Sequence, residues 1–278
     1  MKPIITASAL QHLLESPNLV LIDARNGKDA AQQYAAGHLK GAVHVRLEKD
    51  LSQPENPAHG GRHPLPDIET FSALLGNLGI NPASHVVVYD DKNGANAAAR
   101  FWWMLKATGH DKVQVLEGGW NAAVKAGIPV TQEVSVPASI ANYPVTSWKL
   151  PTVSIEEVNE ATGDPSKLII DVREGFRYLG ESEPIDLVAG HIPNAVNIPY
   201  LENLDASGNF LPPEKLKEKY SALIGDHEMK NVIVHCGSGV TACHTLLALE
   251  EAGLNGANLY VGSWSEWSRN NKPMATGK

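Results

Sequence analysis

Cysteine is nearly absent from this chain. Two residues in 278, Cys236 and Cys243, cannot build a disulfide framework, and a reducing, cytoplasmic setting is expected. Long apolar runs are missing too. Nothing approaches the roughly 18 consecutive apolar residues that span a bilayer, so no membrane association is expected. The opening stretch, MKPIITASALQHLLES, breaks its apolar content with Thr6, Ser8, Gln11 and His12, unlike a secretory leader. Basic residues are in deficit, 23 against 31 acidic, for a formal net charge of −8. With no Lys/Arg-rich run to offset that balance, nucleic acid is excluded as an expected partner. What is present is a normal globular mix, 43% hydrophobic and 19% charged, in a chain long enough for one large domain or two ordinary ones.

The chain repeats itself once. LIDAR (Leu21 to Arg25) returns as IIDVR (Ile169 to Arg173) at an offset of 148. GHLKGAVHV (Gly37 to Val45) returns as GHIPNAVNI (Gly190 to Ile198) at 153, and VVVYD (Val86 to Asp90) as VIVHC (Val232 to Cys236) at 146. GGW, with Pro129 nine residues after Trp120, returns as GSW, with Pro273 nine after Trp264. Order and spacing are both kept, so two homologous domains are expected, over 1–130 and 148–278. The joining stretch, 131–147, lacks helical periodicity, contains Pro137 and Pro144, and reads as an extended linker. Short strand patterns alternate with helical ones in each copy. In the second they fall at Leu168–Val172, Val232–His235 and Asn258–Val261, with a helix over Thr241–Ala252 stopped by Gly253. That alternation indicates an α/β fold with a parallel sheet flanked by helices. Sites in such sheets lie at the carboxyl ends of the strands. Cys236 stands at one such end, and its counterpart in the first copy is Asp90.

Three chemistries can use a cysteine between a strand and a Gly-rich loop. A phosphatase loop needs an arginine with five residues intervening, and that position is Ala242. A zinc site from His235, Cys236, Cys243 and His244 fails on spacing, because six residues separate the two cysteines. An ordinary buried cysteine fits Cys243, inside the helix, but not Cys236, since Gly237, Ser238 and Gly239 carry little to pack around it. The remaining reading is an activated thiolate. Small residues let successive backbone N–H groups form an anion-binding nest, and the following helix N-terminus adds partial positive charge. Such a nest has no fixed charge of its own. It suits a nucleophile that holds a modestly charged covalent adduct, such as a persulfide, in a two-step reaction.

CGSGVTACH after a strand, with GHIPNAVNIP upstream and GSWSEW downstream, resembles the two-domain rhodanese family. The loop is similar to that of 3-mercaptopyruvate sulfurtransferases; thiosulfate-specific members tend to carry basic residues where Gly237 and Ser238 stand here. LIDAR, GHLKGA and FWWMLKATGH match the inactive first domain of that family. The resemblance implies two tandem rhodanese-like domains, of which only the second is catalytic. It implies a ping-pong sulfurtransferase in which Cys236 takes sulfur from a small anionic donor, 3-mercaptopyruvate being favoured. Cys236 then passes the sulfur to cyanide, a small thiol or a reduced protein thiol, including that of a thioredoxin-like protein. No metal and no cofactor are expected, and a monomer suffices. The alternatives are a thiosulfate:cyanide sulfurtransferase and a non-enzymatic sulfur-relay or thiol-sensing module.

The resemblance also distributes roles. Gly237, Ser238, Gly239, Val240 and Thr241 form the expected donor-binding loop, with Ser238 donating a hydrogen bond to donor or persulfide and Thr241 capping the helix. Arg177, in RYLG, matches an arginine that contacts the donor in mercaptopyruvate enzymes; the competing assignment is a surface arginine paired with Glu181 or Glu183. The offset rises from 148 to 153 here, so the second copy has five extra residues between Arg173 and His191, and such insertions often carry function. The family pattern places a second arginine nine residues after Arg177, where this chain has Asp186. Arg173 is matched by Arg25, and His191 by His38, which favours structural roles, although Arg173 is the next candidate after Arg177 for the donor carboxylate. His38 is nevertheless the candidate for a first-domain histidine beside the loop serine. Trp264 and Trp267 are expected to pack near the site; Arg62 and His63, in GGRHPLP, could reach across the domain cleft, with core or loop packing the favoured expectation.

Overall fold

The computed structural model describes residues 1–137 and 139–277; Ala138, within the expected linker, and Lys278 lie outside it. The chain divides into two compact units. The first comprises Met1–Ser52 and Pro66–Lys149, the second Gln53–Leu65 and Leu150–Lys278.

In the first unit the strands are β1 (Ile4–Ile5), β2 (Leu19–Asp23), β3 (His38–Leu39), β4 (Val43–His44), β5 (His85–Tyr89), β6 (Val113–Leu116) and β7 (Val130–Thr131). Five of them form a parallel sheet in the order β1-β6-β5-β2-β4, while β3 and β7 pair antiparallel. The central β5 is fully buried from Val86 to Tyr89, which is why it reads as a continuous apolar run rather than an alternating one. The 131–147 stretch follows this unit: Ile140 N–H donates to Gly76 O at 3.0 Å and Tyr143 N–H to Ser72 O at 3.1 Å.

The second unit is built on β8 (Leu168–Asp171), β9 (Val196–Asn197), β10 (Val232–His235) and β11 (Asn258–Leu259), parallel in the order β11-β10-β8-β9. Val232 faces Leu168 and His235 faces Asp171. Two strands end earlier than their sequence pattern suggests, β8 at Asp171 and β11 at Leu259, although Val172 and Tyr260 still donate to His235 O and Val234 O. The helix after the loop runs Thr241–Glu251, and Gly253 closes it at φ +75°, the left-handed conformation that glycine adopts without penalty. Thr241 does not cap this helix. The chain turns at left-handed Gly239 into Val240, whose φ of −94° and ψ of −62° make it the cap residue; Thr241 is already helical.

The same strut is built in each unit. Arg25 grips Asp23 through Nε and Nη2, donates to Gly37 O at 2.7 Å and lies 4.2 Å over the Trp120 ring. Arg173 grips Asp171, donates to Gly190 O at 2.7 Å and lies 4.6 Å from the Trp264 ring centroid. Arg173 is thus occupied in holding the end of β8, and a donor-binding role for it is withdrawn. The histidines follow suit, His38 stacking on Tyr34 at 3.8 Å and His191 on Tyr178 at 3.7 Å.

Gln53–Leu65 belongs to the second unit because the turn and helix at Gly262–Trp267 hold it. Gly60 N–H donates to Glu266 Oε1 at 2.7 Å and Arg62 N–H to Ser265 Oγ at 3.0 Å, while Asn270 Nδ2 donates to Ala58 O at 2.8 Å. Gly61, at φ +78°, lies so close to the Gly262 carbonyl that no side chain fits.

Candidate active site

β10 delivers Cys236 to the carboxyl edge of the second sheet, 2% exposed. Its N–H donates to Ser263 Oγ at 3.2 Å, and its C=O accepts from Trp264 N–H at 3.0 Å; Gly237 O accepts from Ser265 N–H at 2.9 Å. The GSW turn therefore anchors the first two loop residues. Gly239 is required by two constraints. Its φ is +72°, and an added Cβ would stand 2.5 Å from Val261 O. Among the described residues, no backbone carbonyl accepts from the N–H groups of Gly237, Ser238 or Val240. These amides are the loop's capacity for a negative charge.

The first unit shows that capacity filled. Asp90 occupies the place of Cys236, and its carboxylate accepts from four backbone amides: Lys92 and Gly94 at 2.8 Å, Asn96 at 3.1 Å and Ala98 at 3.2 Å. Burial pushes this carboxyl up, and the four amides act in the opposite sense. Burial prevails over the amides in that balance, and in the first copy the loop's amides are met by a side chain of the chain itself.

The histidine beside the loop serine is His63, with Nδ1 2.8 Å from Ser238 Oγ. His38 is not that residue. Its two ring nitrogens lie at 2.9 Å from Tyr34 O and 3.1 Å from Glu133 O, so neither is left for a serine. Arg62 is likewise drawn out of loop packing. A Cβ at Gly237 would lie 3.1 Å from Arg62 Nη2, 3.3 Å from Arg177 Nη2 and 3.6 Å from Asp186 Oδ2. The expectation of a nest without a fixed cation is corrected by these two guanidinium groups. One signal for Arg62 and His63 was available: the repeat offset falls from 153 to 146 between Val45 and Val86, so the first copy has seven extra residues there.

Arg177 is 6% exposed and is not a surface arginine. Nε and Nη2 bind Glu183, Nη1 binds Glu174 at 3.3 Å, and Nη2 lies 3.5 Å from Asp186. Burial alone would lower its pKa, but the bonds and charge of Glu183 outweigh that and raise it. The Glu183 carboxyl is in turn held below its ordinary value, the bonds from Arg177 overcoming burial. Next to Cys236, buried His235 lies 3.8 Å from Asp171, where Tyr89 donates to Asp23 in the first unit. Burial pushes His235 down, against the attraction of Asp171. Cys243 lies in the first turn of the helix and donates from Sγ to Gly239 O at 3.3 Å, bracing the loop from behind. Trp264 and Trp267 are core residues, their ring N–H groups tying down Val188 O and Pro273 O at 2.8 Å each.

The arrangement offers a thiol nucleophile, unpaired amides, two guanidinium groups and a serine–histidine pair around one loop. It can take up an anionic substrate, attack it and hold the product covalently.

The family model "Rhodanese-like domain" matches residues 6–126 and 154–270. A Pseudomonas aeruginosa protein named "Probable 3-mercaptopyruvate sulfurtransferase" is 40% identical over 282 residues, covering 99% of this chain and 98% of its own. A thiosulfate sulfurtransferase of Gallus gallus is 36% identical over 250 residues, 89% of this chain and 84% of its own. The crystal structure of SseA from Escherichia coli, described with the rhodanese fold of 3-mercaptopyruvate sulfotransferases, superposes with a TM-score of 0.79 at 31% identity. It covers 95% of this chain and 99% of that one. Among the described residues no helix is long and apolar enough to cross a membrane.

Proposed function

This chain belongs to the rhodanese family and is a two-domain sulfurtransferase, and we propose that it carries sulfur on Cys236, from 3-mercaptopyruvate to cyanide or a thiol. The observation that carries this reading is the contrast between the two loops. Where Asp90 fills its own nest with a carboxylate, Cys236 opens a loop whose amides at Gly237, Ser238 and Val240 have no backbone acceptor. A thiolate or persulfide anion is the chemical equivalent of that carboxylate, and the first domain, with Asp90, has no nucleophile.

The Cys236 thiolate attacks the donor sulfur and an S–S bond forms. The C–S bond breaks, and its electron pair goes to carbon as the enolate of pyruvate. The proton of the donor thiol balances the step by ending on that carbon, which leaves pyruvate and a persulfide anion. Ser238, paired with His63, donates toward the ketone oxygen as enolate charge develops there. Arg177 and Arg62 border Gly237 and hold the donor carboxylate. The loop residues Gly239, Val240 and Thr241 shape the nest around the sulfur. In the second half-reaction cyanide or a thiolate takes the outer sulfur, and Cys236 leaves as thiolate.

Cyanide, a small thiol or a thioredoxin-like protein serves as acceptor, and one copy of the chain contains every group the reaction uses. Neither cysteine is joined in a disulfide, which suits a reducing cytoplasm. Thiosulfate is the second donor, favoured by the guanidinium nitrogens beside Gly237. The test is mass spectrometry of protein treated with mercaptopyruvate alone. The expected result is a gain of one sulfur on Cys236, lost with all turnover in Cys236→Ser and retained in Cys243→Ser. A sulfur adduct on Cys243, or turnover by Cys236→Ser, refutes the assignment.

A further inference from the structure

Asp186 is the convergence point of three guanidinium groups. Oδ1 accepts from Arg62 Nε at 3.0 Å and Arg269 Nη1 at 3.1 Å; Oδ2 accepts from Arg62 Nη2 at 3.4 Å and lies 3.5 Å from Arg177 Nη2. Its side chain is entirely buried, whereas those of Arg62 and Arg269 are 26% and 17% exposed. The two Nη2 atoms it holds are the ones that border Gly237, the residue after the nucleophile. A donor anion seated there meets cations that already have a counter-ion, Asp186 for Arg62 and Glu183 for Arg177.

We propose that Asp186 is a specificity-determining residue: its resident negative charge caps the anionic charge the site accepts and so favours a monoanionic donor over a dianionic one. The proposal rests on the sulfurtransferase reading above. Both donors are anions, so each is repelled by the buried carboxylate, and Coulomb energy is linear in charge. A dianion such as thiosulfate is opposed twice as strongly as the singly charged mercaptopyruvate. If removing the carboxylate charge improves monoanion binding by a factor f, dianion binding improves by about f squared, and the ratio between donors shifts by about f. For a partly screened charge within a few ångströms, f is on the order of ten.

The experiment uses the full chain with Asp186→Asn, which keeps the shape and one carbonyl acceptor for Arg62 and Arg269. The ratio of kcat/KM for thiosulfate to that for mercaptopyruvate should rise about tenfold. A second readout needs no turnover: sulfate should protect Cys236 from iodoacetamide at concentrations about a hundredfold lower in the variant than in the wild type, and formate at concentrations about tenfold lower. Asp186→Asn leaves guanidinium charge uncompensated, so the same shift is also sought between Arg269→Gln and Asp186→Asn/Arg269→Gln, where one guanidinium fewer is left over. A donor ratio and a sulfate protection both unchanged within about twofold would overturn the proposal. Wild-type protein that turns over neither donor would instead refute the sulfurtransferase reading, and sulfate protection would still decide whether Asp186 limits anion charge.

Discussion

Ser263 is a non-glycine residue in the left-handed region, φ +53°, at the position where the first unit has Gly119 at φ +54°. Its hydroxyl donates to Tyr260 O at 2.8 Å and accepts from Cys236 N–H at 3.2 Å. Two opposing contributions meet in one side chain, and two substitutions separate them. Ser263→Ala keeps the conformational strain and leaves a buried N–H and C=O without this partner, which costs about 1–3 kcal/mol. Ser263→Gly loses the same bonds but relieves the left-handed penalty of about 1–2 kcal/mol, part of which returns through glycine's greater freedom in the unfolded chain. The glycine variant should therefore be more stable than the alanine variant by about 0.5–1 kcal/mol, with the wild type above both. Urea unfolding of the three proteins with matched m values measures that order. Both variants free the Cys236 amide, so kcat/KM should fall alike in both, by about three- to tenfold. An alanine variant as stable as the glycine variant would refute the strain argument. Full activity in either would refute the claim that this hydroxyl positions Cys236.

Two further outcomes follow from the same loop. Gly239→Ala places a Cβ 2.5 Å from Val261 O in a left-handed residue, so a loss of about 2–4 kcal/mol and of most activity is expected; a stable, active variant would show that the loop can take another path. Burial lowers the folded pKa of His235 below its unfolded value, so the unfolded chain binds the extra proton and stability falls as pH drops below about 6.5. Asp171, held low by Arg173 and His235 against burial, contributes stability that is lost only in stronger acid, as pH falls through its lowered value. His235→Tyr, copying Tyr89, should reduce the slope of stability against pH below about 6.5, while buried His110, also pushed down by burial, retains part of it. An unchanged slope would assign it to other groups.

Much of this protein was legible in its sequence. The internal repeat, the strand that ends at Cys236, the helix from Thr241 and the structural pairing of Arg25 with Arg173 all follow from patterns spanning some ten residues, because periodicity, turn residues and spacing are local constraints. The contrast between Asp90 and Cys236 was legible for the same reason. Tertiary structure alone decided which groups face the loop. His63 reaches Ser238 across 175 positions, and Arg62 reaches Asp186 across 124. The segment that carries them has no periodicity to announce its path, and it is placed by amides bonded to Glu266 and Ser265. His38, with a better motif around it, spends its ring nitrogens on backbone carbonyls of its own unit. A pattern in the chain encodes which face a residue takes within its element; which charges meet at a loop depends on where irregular segments are pinned, and that is settled only when distant parts of the chain pack together.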